Sequence, residues 1–161
     1  MVNNKPYLEE VSAIRFSKDA ALAAVVFKLK DGSGEVMLYR FFDKSGSNLV
    51  PEKTVKKPIR SFKVAECKKM GNVIDLFIFK QTVNDEFQYN MYLLLERGIL
   101  YYPAIEKRAE PVVRMDETTA QGGTFLKAGC ADFNYNTNTL VVNACKREGT
   151  KEEHIIRQYS L

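Results

Sequence analysis

The sequence has no tryptophan and a single histidine, His154, which excludes every site built from two or more imidazoles. Its three cysteines, Cys67, Cys130 and Cys145, are odd in number and contain no CxxC pair. That spacing suits neither a disulfide framework nor a zinc knuckle, and points to reduced, mostly buried thiols. No stretch approaches the roughly 20 apolar residues that a membrane-spanning helix needs. The opening residues, MVNNKPYLEE, lack the apolar core of a secretory signal and the Arg/Ser-rich pattern of a transit peptide. Val2 stands where N-myristoylation requires glycine. The expectation is a cytoplasmic chain with no transmembrane segment.

What is present is ample for folding. The chain has 161 residues, 45% of them hydrophobic, which suits a single domain with a real core and excludes an intrinsically disordered polymer. Lys and Arg number 24 against 20 Asp and Glu, a net charge of +4 that permits only mild attraction to anionic surfaces.

Strand signals dominate. Val11 to Phe16 alternates, with Val11 and Ala13 expected opposite Ser12, Ile14 and Phe16. Ala21 to Leu29 is almost wholly apolar, and its Val25-Val26-Phe27 favours a pleated surface. Asp31-Gly32-Ser33-Gly34 reads as a hairpin loop, and EVMLYRFF (Glu35 to Phe42) as its returning strand. Asn48 to Thr54 suggests a short edge strand weakened by Pro51. Ser61 to Cys67, Val73 to Phe79, Phe87 to Leu95 and Ile99 to Ile105 follow, with Pro103 arguing against a central place for the last. Residues 106 to 123 read as a long polar connection, in which Val112-Val113 is at most a short strand. Thr124 to Tyr135, Thr139 to Cys145 and Glu153 to Leu161 complete the pattern. No amphipathic helix of three turns is visible.

Three passages repeat one plan: a strand, a polar turn, an apolar strand, a charged loop and an amphipathic strand. They begin at Ala13, Val64 and Cys130, roughly 50 to 65 residues apart, near the spacing of propeller blades. The expected fold is therefore all-β and antiparallel, with about three four-stranded propeller-like units in a single domain or propeller fragment. A closed β-barrel or sandwich is the alternative. Three units are too few to close a propeller of four to eight blades, so a second copy or a partner chain would have to complete the array.

Ile14-Arg15-Phe16, Ser17-Lys18-Asp19, Leu22-Ala23-Ala24 and Glu35-Val36-Met37-Leu38-Tyr39 together resemble a WD-repeat blade. The Gly-His and Trp-Asp pairs of that family are missing, so the blade would be degenerate. LLLERGILYYPAIEK, followed by GCADFNYNTNTLVVNA, resembles the N-terminal propellers of endolysosomal vesicle-tethering subunits of the HOPS and CORVET core. That resemblance implies a membrane-traffic scaffold that binds other proteins and carries no catalytic residues.

Candidate chemistry is sparse. A lone His154 between a loop and a strand lacks a second catalytic group at a fixed offset. No GxSxG elbow occurs, and Gly32-Ser33-Gly34 is too short for a phosphate loop. Asp75 interrupts an apolar strand and is the best carboxylate for glycosidase-type chemistry, or else it bonds a neighbouring turn. Two surface readings remain. Lys53, Lys56, Lys57, Arg60, Lys63, Lys68 and Lys69 form a basic stretch that could hold RNA phosphates or acidic lipid headgroups, or simply guard strand edges. Phe87, Tyr89, Met91, Tyr92, Tyr101 and Tyr102 form an aromatic hairpin suited to a protein interface or to core filling. The functional expectation is a non-catalytic protein-interaction module that needs no cofactor. Its alternatives are a lipocalin-like barrel for a small apolar ligand and an RNA- or phosphoinositide-binding β domain.

Overall fold

A computed structural model describes residues 8–41, 57–116 and 125–160. It is all-β and antiparallel, as the strand signals require. The first sheet joins β1 (Leu8–Phe16), β2 (Leu22–Leu29), β3 (Gly34–Arg40) and β4 (Arg60–Val64) in chain order. After one helical turn, α1 (Cys67–Met70), the second sheet joins β5 (Val73–Val83), β6 (Glu86–Leu95), β7 (Gly98–Tyr102) and β8 (Val112–Asp116). The third contains β9 (Phe125–Asn134), β10 (Thr139–Glu148) and β11 (Lys151–Ser160). No barrel closes among the described residues. No helix among them is long and apolar enough to cross a membrane.

Turn chemistry sets the hairpins. Asn84 and Asp85 both take positive φ, so β5 and β6 meet through a two-residue turn, where the polar stretch Gln81 to Glu86 suggests a longer loop. Gly32 at φ 83° reverses the chain between β2 and β3. Gly71, at φ 88°, has no space for a side chain: an added Cβ would lie 2.9 Å from the Glu96 Cβ.

Three expectations change. Ser61 to Cys67 does not begin the second unit; its β4 portion pairs with β3, because Phe62 and Val64 then enter the core opposite Val36 and Gly34. The second unit therefore starts at Val73. Pro103 lies just beyond β7, leaving that strand free to occupy an interior place between β6 and β8. The connection at 106–123 also contributes a ladder strand, β8, while Asn48 to Thr54 lies outside the described residues.

Two cores separate the sheets. Leu22, Val26, Val36 and Leu38 of the first sheet pack with Leu76, Ile78, Leu93 and Leu100 of the second. On the opposite face of the second sheet, Phe77, Phe79, Tyr92 and Tyr101 meet Phe133, Leu140 and Val142 of the third. Odd and even positions of β5, β6 and β7 thus serve different cores, the period-2 geometry of a strand covered on both faces. The first strands also adjoin: β1 lies against β5, and β5 against β9.

Candidate functional site

The sequence-derived candidates fall into different environments. In the aromatic hairpin, Tyr89, Met91, Tyr92, Tyr101 and Tyr102 are buried, and only Phe87 is exposed. The alternation expected for β6 is present, but both of its faces are covered, so the aromatic residues fill cores. Burial raises the Tyr102 phenol above its ordinary value, and among the described residues no hydrogen-bond partner reaches its hydroxyl. The surface contribution of the hairpin is Phe87, whose ring lies 4.1 Å from the Lys80 Nζ.

The basic stretch is partly neutralised. Lys63 donates to Asp31 at 2.6 Å, and Lys68 approaches the same carboxylate at 3.4 Å. The Lys63 bond, aided by Ser33, holds the Asp31 carboxyl far below its usual range. Arg60 donates to the Glu106 carbonyl at 3.2 Å. Lys57 is exposed, as are Lys68 and Lys69, while Lys53 and Lys56 lie outside the described residues.

Asp75 has a structural partner. It accepts from Arg15 Nε at 2.9 Å and from Nη2 at 2.7 Å, and this two-point contact joins the first sheet to the second. His154 is exposed on β11, opposite Cys145 of β10. The cysteines do not share one environment. Cys67 is buried, and loss of solvent pushes its thiol up to about 11, whereas Cys130 is exposed and Cys145 is half-buried. No group of three His, Cys, Asp or Glu side chains among the described residues can hold a metal ion.

Two features arise only in three dimensions. The first is a cleft of about 360 Å³ lined by Lys18 and Asp19 of the β1–β2 turn, Phe79 and Lys80 of β5, and Tyr135 of the β9–β10 turn. Ser17 and Tyr89 donate to opposite oxygens of Asp19, while Lys80 stands 3.7 Å from it. Burial opposes ionisation of Asp19, but these hydrogen bonds, the Ala21 N–H and the Lys80 ammonium together hold its carboxyl below the ordinary 3.8. Lys18 reaches across to Asn136 at 3.2 Å, linking the first sheet's turn with the third sheet's. The cleft thus has an aromatic floor and a lysine rim.

The second is the outer face of the first sheet. In β1, Val11 pairs with Phe27 but Ala13 pairs with Val26, so Ser12 is an extra, bulged residue. The bulge moves Val11 onto the same face as Ile14 and Phe16, against the simple alternation of the sequence. These three are 56%, 59% and 53% exposed. Register extends the face through Val25 and Phe27 of β2 to Met37 and Tyr39 of β3, all half-buried. Among the described residues no second layer covers it. The third sheet's outer face is more polar: Val141 and Ile156 are exposed there beside Asp132, His154 and Gln158.

Among the described residues, fold and surface define an all-β protein of three successive antiparallel sheets, the first with an apolar outer face. Compared with known proteins, the chain matches no family model, no curated protein and no solved structure.

Proposed function

We propose that the protein is a non-catalytic interaction module whose partner covers the outer face of the first sheet. The observation that carries this reading is the exposed Val11, Ile14 and Phe16 row, continuous with Val25, Phe27, Met37 and Tyr39. An apolar area of this kind, bordered by Glu35 and Lys63, has the composition of an interface centre with a charged margin.

A propeller-like arrangement is the architecture in which such a face has a purpose. The adjoining first strands β1, β5 and β9 support it, as does the Lys18–Asn136 contact that reaches past the intervening sheet. Sheets fanning from a shared edge, instead of lying in a flat stack, allow the first and third to touch. In that arrangement the outer face of the first sheet receives the next sheet, supplied by another protein. The resemblance to WD-repeat and vesicle-tethering propellers agrees with such a scaffold role, including one in membrane traffic. Anion binding by the Lys57–Lys69 stretch draws less support, because Asp31 engages two of its lysines.

The test places a photo-crosslinking residue at Phe16 and, in a separate variant, at the exposed control position Lys107. The expected result is a discrete protein adduct from Phe16 that the Ile14→Lys substitution abolishes. Equal labelling from both positions, insensitive to Ile14→Lys, overturns the reading.

A further inference from the structure

A second cavity adjoins the cleft of Lys18, Lys80 and Tyr135. It measures about 370 Å³ and shares Lys18 and Tyr135 with the cleft, so these two side chains stand at the waist of one groove. Asp132, Asn134, Asn136 and Val141 line the added half. Neither half uses Val11, Ile14 or Phe16 of the first sheet's outer face.

The two halves differ in charge. In the cleft, Lys18 Nζ donates to the Asn136 side-chain oxygen at 3.2 Å and lies 6.0 Å from the Tyr135 ring centre. Both of these contacts are to neutral groups. Lys80 Nζ lies 3.7 Å from Asp19 Oδ2 and 4.1 Å from the Phe87 ring centre. Asp19 itself already accepts from the Ser17 hydroxyl at 2.6 Å, the Ala21 N–H at 3.1 Å and the Tyr89 hydroxyl. A cation entering here would compete with those donors for the carboxylate, whereas an anion meets two ammonium groups. The other half reverses the preference. Its charged wall is the exposed Asp132 carboxylate, which repels an anion and accepts from an amino group.

A two-part ligand satisfies both halves, anionic at one end and bearing a hydrogen-bond donor at the other. Each compartment is about the size of the smallest ligand pockets. The half-buried Tyr135 between them offers a flat surface for a ring, the stacking that holds nucleobases on aromatic side chains. We propose that this groove binds a nucleoside phosphate, with the phosphate between Lys18 and Lys80, the base against Tyr135 and the base's amino group toward Asp132. The site is distinct from the outer face of the first sheet and stands whether or not that face binds another protein.

NMR titration of the isotopically labelled chain with adenosine monophosphate tests the proposal, with adenosine and inorganic phosphate as parallel ligands. The expected result is saturable binding of the monophosphate with a dissociation constant below about 1 mM and binding of each fragment about tenfold weaker or more. Amide shifts should concentrate around Lys18, Lys80 and Tyr135. Lys18→Gln and Lys80→Gln should each raise the dissociation constant about tenfold, the usual loss for one charge-assisted contact. Lys57→Gln removes the same charge from an exposed position outside the groove and should leave the affinity unchanged. Tyr135→Leu should reduce binding of the monophosphate to the level of inorganic phosphate. A short single-stranded RNA separates the two sources of this chemistry: tighter binding through the same residues assigns the groove to a nucleic-acid strand, and weaker binding assigns it to the free nucleotide. Absence of saturation up to about 10 mM overturns the proposal. So does equal affinity for the monophosphate and inorganic phosphate, or an equal loss from Lys57→Gln, since either reduces the effect to general attraction of anions.

Discussion

The first and second sheets are similar in sequence texture but differ in what covers them. Strand β6 ends in seven successive buried positions, Tyr89 to Leu95, because the first sheet packs on one side of it and the third on the other. Strand β2 is equally apolar, yet Val25 and Phe27 remain only half-buried. A strand's composition reports that apolar surface has to be covered. It does not report whether the cover comes from the same chain. Among the described residues the second sheet is covered on both faces and the first on one.

The sharpest way to break the comparison is to delete side chains on either side of it. Leu93→Ala, at a fully buried position of β6, should destabilise the protein by about 2–5 kcal/mol in chemical denaturation, the usual cost of lost transfer energy plus a cavity. Ile14→Ala on the open face should change the stability of the isolated chain by no more than about 0.5 kcal/mol. Equal losses at the two positions would mean that the outer face is covered within the chain.

A smaller effect tests how the two sheets are joined. The Arg15 side chain is 51% exposed and the Asp75 side chain 17%, so solvent screens much of their attraction. A double-mutant cycle with Arg15→Leu and Asp75→Asn should give a coupling of roughly 0.5–1 kcal/mol. Zero coupling would remove the pair as a fastener between sheets.

The smallest expected effect is a pH dependence at Asp19, which binds Tyr89 of the second sheet from a turn of the first. Its carboxyl is depressed on folding, so the stability it contributes is fully present above its unfolded value near 3.8 and is lost as pH falls toward the folded value. Urea midpoints should therefore fall more steeply below pH 4 in the natural chain than in Asp19→Asn. Parallel curves would show that the carboxylate's charge makes no difference between folded and unfolded states.

The sequence was a good guide wherever local chemistry decides. Asp31-Gly32-Ser33-Gly34 reads as a turn and is one, because glycine there accepts a positive φ. The β9 segment follows alternation and polar breaks to within a residue at each end, while β10 and β11 extend two or three residues into the polar stretch between them. Errors came where a distant partner decides. Phe62 and Val64 are equally plausible at the start of a unit or at its end, and only pairing with β3 settles their place. By sequence the aromatic hairpin suits an interface and a core equally; two covering sheets bury five of its six named residues. The Val11, Ile14 and Phe16 row was not legible, since the bulge at Ser12 breaks the strict alternation from which faces are read. The lysine-rimmed cleft was equally hidden, as Lys18, Lys80 and Tyr135 come from two turns and a strand far apart in the chain.

By itself, then, the sequence determined the all-β class, most hairpins and the antiparallel succession of strands, because φ preferences and period-2 hydrophobicity act over a few residues. Tertiary structure alone decided which apolar faces the described sheets cover and which described strands become neighbours. Those outcomes depend on contacts between segments tens of residues apart, and no local propensity encodes which surfaces will meet.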